Sequence, residues 1–366
     1  MSSMFSIIVK LFVTMLIAAG ITPFVRKIAF VLGAVDNPNA RRVNKKPMPT
    51  MGGLAIFMAY TFATFVLLRN QFPTHVLFGT FLGEIAIILT GMIDDVKELK
   101  PRQKMLGIFI AALLICLIAG IRMDEVTLPI FGTFQLGWWS YPITIFWILA
   151  ITNAVNLIDG LDGLATGVSI IALFTMGVIA YFFLTVPYMY VSVMIFTLAA
   201  AEIGFLPHNF HPAKIFLGDT GSLFIGFMIS VFSLQGLKNV TFITLIIPVI
   251  ILGVPITDTT FAMLRRILNK KPISQADKGH LHHRLMVMGL SHRQTVLTIY
   301  GIALIFAFIS LLYPLSPLWG GLLLTVAVLI GLEIFVELIG LMGPNRQPLL
   351  HFIEGMIRGR KNHKEK

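Results

Sequence analysis

Asn153-Ala154-Val155-Asn156-Leu157-Ile158-Asp159-Gly160-Leu161-Asp162-Gly163-Leu164 sets two amides and two carboxylates between two long apolar runs. At about 100° per residue, Asn153, Asn156 and Asp159 fall within an arc of roughly 120° on a helix, so three polar side chains share one face. Gly160 and Gly163 loosen the backbone around Asp162. A carboxylate at membrane depth costs about 2.5 to 3.5 kcal/mol on insertion scales, so such groups belong where they face water, a cation or a ligand. The purely structural alternative is a helix C-cap followed by a polar turn.

The runs on either side of this stretch set the fold. Hydrophobic residues make up 57% of the 366 residues and charged ones 12%, about half the roughly 25% charged content of soluble domains. Mean hydropathy is +0.87. Apolar runs near the required ~20 residues recur along the chain. They predict an all-α polytopic membrane protein with about eleven transmembrane helices. The runs centre on 4–24, 53–68, 76–93, 105–121, 138–153, 164–184, 188–205, 222–234, 242–264, 296–312 and 318–340. The run at 222–234 is short for a full crossing. One integral membrane domain, 1–342, is followed by a basic cytoplasmic tail, 343–366, suited to anionic lipid.

Lys and Arg alternate between loops as the positive-inside tendency requires. Arg41, Arg42, Lys45 and Lys46 follow the first span; Lys97, Lys100, Arg102 and Lys104 follow the third; Arg265, Arg266, Lys270 and Lys271 follow the ninth. The intervening loops are nearly free of positive charge. An odd count then puts the N-terminus outside and the C-terminus in the cytoplasm. The net charge of +11 reflects membrane topology and anionic ligands, not nucleic acid, whose sites interleave basic and aromatic residues. The first run has the length of a signal peptide, but Arg26 and Lys27 follow it and its removal would upset the parity. Cys116, the one cysteine, excludes an intrachain disulfide and a thiolate metal site. Residues 126–136, with Pro129 and Gly132, read as a small extracytoplasmic hairpin.

With sides assigned, every chemistry-capable cluster lands on the cytoplasmic face. Asp94 and Asp95 end the third span, Asn156 to Asp162 the fifth, Asn209 to Asp219 precede the eighth, and Asp277 to Arg284 lie between the ninth and tenth. Clustered carboxylates repel one another unless a cation joins them. Mg²⁺, with Mn²⁺ as a substitute, suits Asp and Asn oxygens together with substrate phosphates; surface pairs of Asp94 and Asp95 with Lys97 or Lys104 are the alternative. Leu217-Gly-Asp-Thr-Gly-Ser222 opens a span, so its backbone amides are expected to face a phosphate and Asp219 a metal. The absence of a G-x-x-x-x-G-K-[ST] string argues against an ATP-driven pump. His280, His282 and His283 are too closely spaced for a zinc site on a helix face; hydrogen bonds to sugar or phosphate, with Arg284 beside them, fit better. A secondary transporter with intramembrane carboxylates is the alternative of another class. The clustering at one face and the lack of an inverted repeat count against it.

Together these motifs give a chain that resembles the polyprenyl-phosphate N-acetylhexosamine-1-phosphate transferases over most of its length. Pro49-Thr-Met-Gly-Gly53, Asp94-Asp95, Asn153 to Gly163, Asn209 with Pro212 to Ser222, and His280 to Arg284 occur in the family's order. The resemblance implies transfer of a sugar 1-phosphate from a UDP-sugar to a membrane polyprenyl phosphate, releasing UMP, with Mg²⁺. It implies Asp219 as main metal ligand with Asn156 assisting, and Asp94, Asp95 and Lys104 beside the reacting phosphates. Asp159, counted with the catalytic group, and Asn209 match positions lining the nucleotide pocket. Phe216 and Asp162 match positions that stack on and hydrogen-bond to uracil. Lys46, Thr50, Asn153, His282, His283 and Arg284 complete the implied substrate contacts. One subgroup's Asp-Asp-x-x-Lys pattern fails here, because Glu98 stands at its lysine position.

His-Leu-His-His-Arg in place of three consecutive histidines, and about eleven spans in place of ten, favour the N-acetylglucosamine branch over the phospho-N-acetylmuramoyl-pentapeptide transferases. That branch uses UDP-N-acetylglucosamine and undecaprenyl phosphate in the bacterial plasma membrane, and initiates teichoic acid, lipopolysaccharide O-antigen or related polymers. Membrane lipids and a homodimeric partner complete the expected associations. A phosphate monoester has its second pKa near about 6, so a lipid phosphate is already mostly dianionic and can attack directly. Transfer through an aspartyl intermediate is the mechanistic alternative.

Overall fold

The computed structural model describes residues 4–36, 47–128, 132–183, 189–235, 242–270, 272, 279–342 and 347–351. Lys46 and most of the tail at 343–366 lie outside the described residues. The chain forms α1 (Met4–Leu32), a short antiparallel pair β1 (Val35–Asp36) and β2 (Met48–Pro49), and α2 (Gly53–Phe62), which runs on into a π-helical turn. Next come α3 (Thr74–Lys97), α4 (Pro101–Leu114) with its own π-helical extension, and the hairpin of β3 (Glu125–Leu128) and β4 (Gly132–Gln135). The remaining helices are α5 (Ser140–Leu157), α6 (Leu164–Phe183), α7 (Met189–Asn209), α8 (Gly218–Gln235), α9 (Phe242–Ile251), α10 (Gly253–Leu268), α11 (Leu281–Val287), α12 (His292–Leu312) and α13 (Leu318–Ile339).

Each apolar run coincides with helix, and the expected small hairpin is present. Among the described residues, eight helices are long and apolar enough to cross a membrane: α1, α3, α4, α5, α6, α7, α12 and α13, some counted with their flanking turns. The run at 242–264 is corrected: it breaks at Leu252 into α9 and α10. Pro248 and Pro255 flank the break and each lacks the N–H that a continuous helix would use. Local signals set the other boundaries. Pro101 occupies the first turn of α4. Ser291 and Gln294 form a capping box before α12, with Gln294 Oε1 accepting from Ser291 N at 2.9 Å.

Helix α8 is the central element, packed against α2, α3, α5 and α6. Every residue from Thr220 to Gln235 is buried, so the run that looked short for a crossing is sheathed by other helices and needs no lipid-facing stripe. Trp147 Nε1 on α5 donates to Ser233 Oγ at 2.8 Å, satisfying an indole inside the bundle. Glu84 on α3 and Glu202 on α7 are also buried there. Peripheral α1 and α13 expose Phe5, Phe12, Leu323 and Leu329, which suits a lipid surface. Because the long helices alternate in direction, the C-termini of α3, α5 and α7 meet the N-termini of α4, α8 and α12 at one end of the bundle.

Candidate active site

A cavity of about 810 Å³ opens at that end. Its centre is built from the termini of four helices. Helix α3 stops at Glu98, which adopts a left-handed conformation with φ 48°. Asp94 Oδ1 accepts from Leu99 N at 2.6 Å, which folds the carboxylate over the helix end and leaves Oδ2 for Lys104, 2.6 Å away. Lys104, in the first turn of α4, also lies 2.9 Å from Asp219 Oδ1. In the last turn of α5, Asn156 Nδ2 donates to Asp219 Oδ1 and, at 2.8 Å, to Ser222 Oγ. Residues 115 and 63 positions away in sequence thus converge on one carboxylate at the start of α8.

Asp95 has a different task. Its Oδ1 accepts from Asp219 N at 2.9 Å, and its Oδ2 from Thr220 N at 3.0 Å and Thr220 Oγ1 at 2.6 Å. It therefore caps α8 from another helix, satisfying amides that have no intrahelical partner and placing negative charge at the positive end of the dipole. The expectation that these two amides bind phosphate is corrected: Asp95 already holds them. Gly218 makes the approach feasible. It has φ 72°, and a Cβ there would sit 2.6 Å from Asp95 Oδ2.

Helix α5 ends at Leu157, so Asp159 stands in the turn beyond it. Of the three residues expected on one face, Asn156 and Asp159 reach the cavity. Asn153 does not; its Nδ2 donates to Leu149 O at 2.8 Å and lies 3.1 Å from Met105 Sδ. Burial first, and then the negative charges of Asp219, Asp95 and Asp162, push the Asp159 carboxyl well above the usual carboxylate range. Asp162 Oδ2 accepts from His211 Nδ1 at 2.9 Å and from Ala213 N at 3.1 Å. The His211 ring stacks on His292, centroids 4.2 Å apart and planes 23° apart. Ligand atoms of Asp162, His211 and His292 lie within 4.8 Å of one another. Nearly parallel rings do not aim their lone pairs at one point, so this group forms a hydrogen-bonded wall better than an ion cage.

Phe216 and Thr50 lie on the cavity wall. Phe216 N donates to Pro49 O at 2.9 Å and Gly52 N to Phe216 O at 3.0 Å, lacing the approach to α8 onto the approach to α2. Asn209 is 2% exposed and both ends of its amide are engaged, with Thr166 Oγ1 at 2.9 Å and Ile215 O at 3.1 Å. It lines the cavity, as expected, while its amide holds the loop in shape. The histidine segment is the first turn of α11, not a loop. His282 and His283 line the cavity, whereas His280 and Arg284 do not.

Seven carboxylates (Asp36, Asp94, Asp95, Glu98, Asp159, Asp162 and Asp219) and one lysine line the cavity among the described residues. That excess of hard oxygen donors fits a divalent cation such as Mg²⁺. Asp94 and Asp219, bridged now by Lys104, are the pair best placed to share it, with the Asn156 amide oxygen in reach after an amide flip.

Two cavity residues went unread in the sequence. His211 lies inside the Asn209-to-Asp219 segment, and His292 directly follows the Ser291 cap. Asp258, outside the cavity wall, also went unread although it interrupts the apolar run at 242–264.

The sequence profile of glycosyl transferase family 4 matches residues 77–237. The chain is 44% identical to the probable undecaprenyl-phosphate N-acetylglucosaminyl 1-phosphate transferase of Bacillus subtilis, across 97% of this chain and 98% of the relative. It is 36% identical to the decaprenyl-phosphate N-acetylglucosaminephosphotransferase of Mycobacterium tuberculosis, across 78% of each. It is 31% identical to the phospho-N-acetylmuramoyl-pentapeptide-transferase of Chlorobium luteolum, across 83% of this chain and 90% of that one. A near full-length match of this kind, joined to a polar cavity at one end of a membrane bundle, makes this chain a multi-pass sugar-phosphate transferase of the bacterial plasma membrane, a member of glycosyl transferase family 4 and of its polyprenyl-phosphate N-acetylhexosamine-1-phosphate transferases.

Proposed function

We propose that the protein transfers N-acetylglucosamine 1-phosphate from UDP-N-acetylglucosamine to undecaprenyl phosphate, releasing UMP, as the first membrane step of an envelope polymer such as teichoic acid. The observation that carries the reaction is the convergence of Asp94, Lys104, Asn156 and Asp219 at the end of a membrane bundle. The near full-length similarity to the Bacillus subtilis relative supports the sugar and the lipid. Arg265, Arg266 and Arg293 lie near the cavity end, as a cytoplasmic face requires.

In this reading a lipid phosphate oxygen attacks the β-phosphorus of the UDP-sugar. A new P–O bond forms, the bond from the β-phosphorus to the bridging oxygen breaks, and UMP departs with that oxygen. The dianionic nucleophile has no proton to lose. Lys104 offsets charge on the diphosphate as it grows toward the leaving group. Asp95 keeps α8, and so Asp219, at a fixed height against α3. Phe216 offers its ring, and Asp162 its remaining oxygen, to the uracil. Mg²⁺, or Mn²⁺ in its place, held by Asp219 with Asn156 and Asp94, would supply charge neutralisation at the diphosphate.

A panel of UDP-sugars assayed with undecaprenyl phosphate and Mg²⁺ tests this, scored for lipid product and UMP. Preference for UDP-N-acetylglucosamine is expected. Preference for the UDP-muramoyl pentapeptide would overturn the assignment, and UMP-to-UDP-sugar exchange without lipid would replace direct attack by an aspartyl intermediate.

A further inference from the structure

Asp258 on α10 is 3% exposed and lies outside the cavity wall, yet both of its oxygens are committed to the start of α11. Its Oδ2 is 2.8 Å from His280 Nδ1, and its Oδ1 accepts from Leu281 N at 2.7 Å. These are the cap and first residue of α11. A seven-residue helix is too short to be stable by itself, so its direction depends on anchors outside it. Asp258 serves as a capping side chain delivered from a different helix. Helix α10 is fixed in turn by Arg265, whose guanidinium donates to Leu341 O and packs where a Cβ on Gly279 would sit.

The next two histidines carry this anchoring to the cavity. The His282 ring lies parallel to that of His280, 6.0 Å away, and rests against Gly160, where a Cβ would fall 2.6 Å from the ring. His283 packs on His282, centroids 4.2 Å apart. We infer that Asp258 is a positioning residue for sugar-nucleotide binding, acting through His280 and Leu281 to set His282 and His283 over Gly160 at the cavity wall. The inference rests on the proposed reading of the cavity as the UDP-sugar site. A displacement of about 1 Å at such contacts is enough to cost up to about a hundredfold in rate.

The experiment compares Asp258→Ala and Asp258→Asn in the full-length protein in detergent, alone and in a His282→Ala/His283→Ala background. Asp258→Ala is expected to raise the KM for UDP-N-acetylglucosamine about tenfold, and Asp258→Asn, which keeps an acceptor for Leu281 N, to restore most of it. In the double-alanine background the same change should move KM less than about twofold. An equal effect in both backgrounds, or wild-type KM in Asp258→Ala, overturns the inference. Hydrogen exchange gives an arm independent of turnover: amides at Leu281–Val287 should exchange about tenfold faster in Asp258→Ala, with the other helices unchanged. Unaltered exchange there defeats the anchor itself. A wild-type protein that transfers no UDP-sugar defeats the proposed function instead, and leaves the exchange result to judge the anchor.

Discussion

Lys104 Nζ lies 2.9 Å from Asp219 Oδ1, tying the first turn of α4 to the first turn of α8, and the same ammonium stands 2.6 Å from Asp94. Its positive charge offsets the repulsion between these two neighbouring carboxylates. Lys104→Met therefore has two effects of opposite sense. Removing a positive charge strengthens cation binding at Asp94 and Asp219, and removes support for the diphosphate. The expected outcome is half-maximal activity at lower Mg²⁺ together with kcat reduced by about a hundredfold. Titrating Mg²⁺ against transfer rate checks both signs; an unchanged kcat would take Lys104 out of the reaction.

Asp219→Asn keeps the shape of the side chain and loses its charge. Lys104 then has one carboxylate partner instead of two, and the proposed cation loses its main ligand. Turnover is expected to fall by about a thousandfold, with Mn²⁺ affinity, read by electron paramagnetic resonance, falling alongside it. Near-normal turnover at saturating lipid would reject the metal assignment.

Asp95 makes a contrasting prediction, because its three hydrogen bonds go to the α8 terminus and not to open space. Asp95→Ala leaves two amides and a hydroxyl without their acceptor and is expected to destabilise the fold by about 1 to 3 kcal/mol. Asp95→Asn, which keeps one acceptor oxygen, should fall between it and wild type. Thermal midpoints in detergent read the order. Activity lost in Asp95→Ala with no change in midpoint would instead give Asp95 a direct role in the chemistry.

The sequence displays what depends on composition and period. Eleven apolar runs, their alternating flanks and the gathering of Asp94, Asp159 and Asp219 at one end could all be read from residue types. Side-chain direction could not, since it is decided by which neighbour arrives. Asn153 and Asn156 are one turn apart on α5, yet one meets Met105 and the other Asp219. Arg284 lies one turn beyond the α11 cap and leaves the cavity to His282 and His283. Asp95 looked like a twin of Asp94 until α8 offered it unpaired amides. The break at Leu252 was marked by Pro248 and Pro255, but a 23-residue apolar run reads as a crossing on length alone.

Phe216→Ala tests the wall of the nucleotide site. The ring lies on the cavity while its backbone is held by Pro49 and Gly52, so truncation removes the ring and keeps the chain path. Loss of stacking on a base costs about 1 to 3 kcal/mol. The KM for UDP-N-acetylglucosamine is therefore expected to rise about five- to a hundredfold with kcat nearly unchanged. An unchanged KM would move the base elsewhere.

His282 gives the protein a stability that depends on pH. It is 5% exposed, and burial first, then the neighbouring His283, push its pKa down from 6.5 to about 3. In the unfolded chain the same imidazole takes a proton near pH ~6.5. Between those two values the unfolded state binds the extra proton, so its contribution to stability is fully present above pH ~6.5 and is lost progressively as pH falls toward 3. Gln at this position keeps a donor and an acceptor but cannot titrate. His282→Gln is therefore expected to lose less of its melting temperature than wild type when pH is lowered from about 7 to about 5. Because the folded imidazole is neutral across that interval, the acid limb of the transfer rate should have the same midpoint in both proteins. Identical loss of melting temperature in the two would mean that His282 titrates in water and does not sit packed between Gly160 and His283.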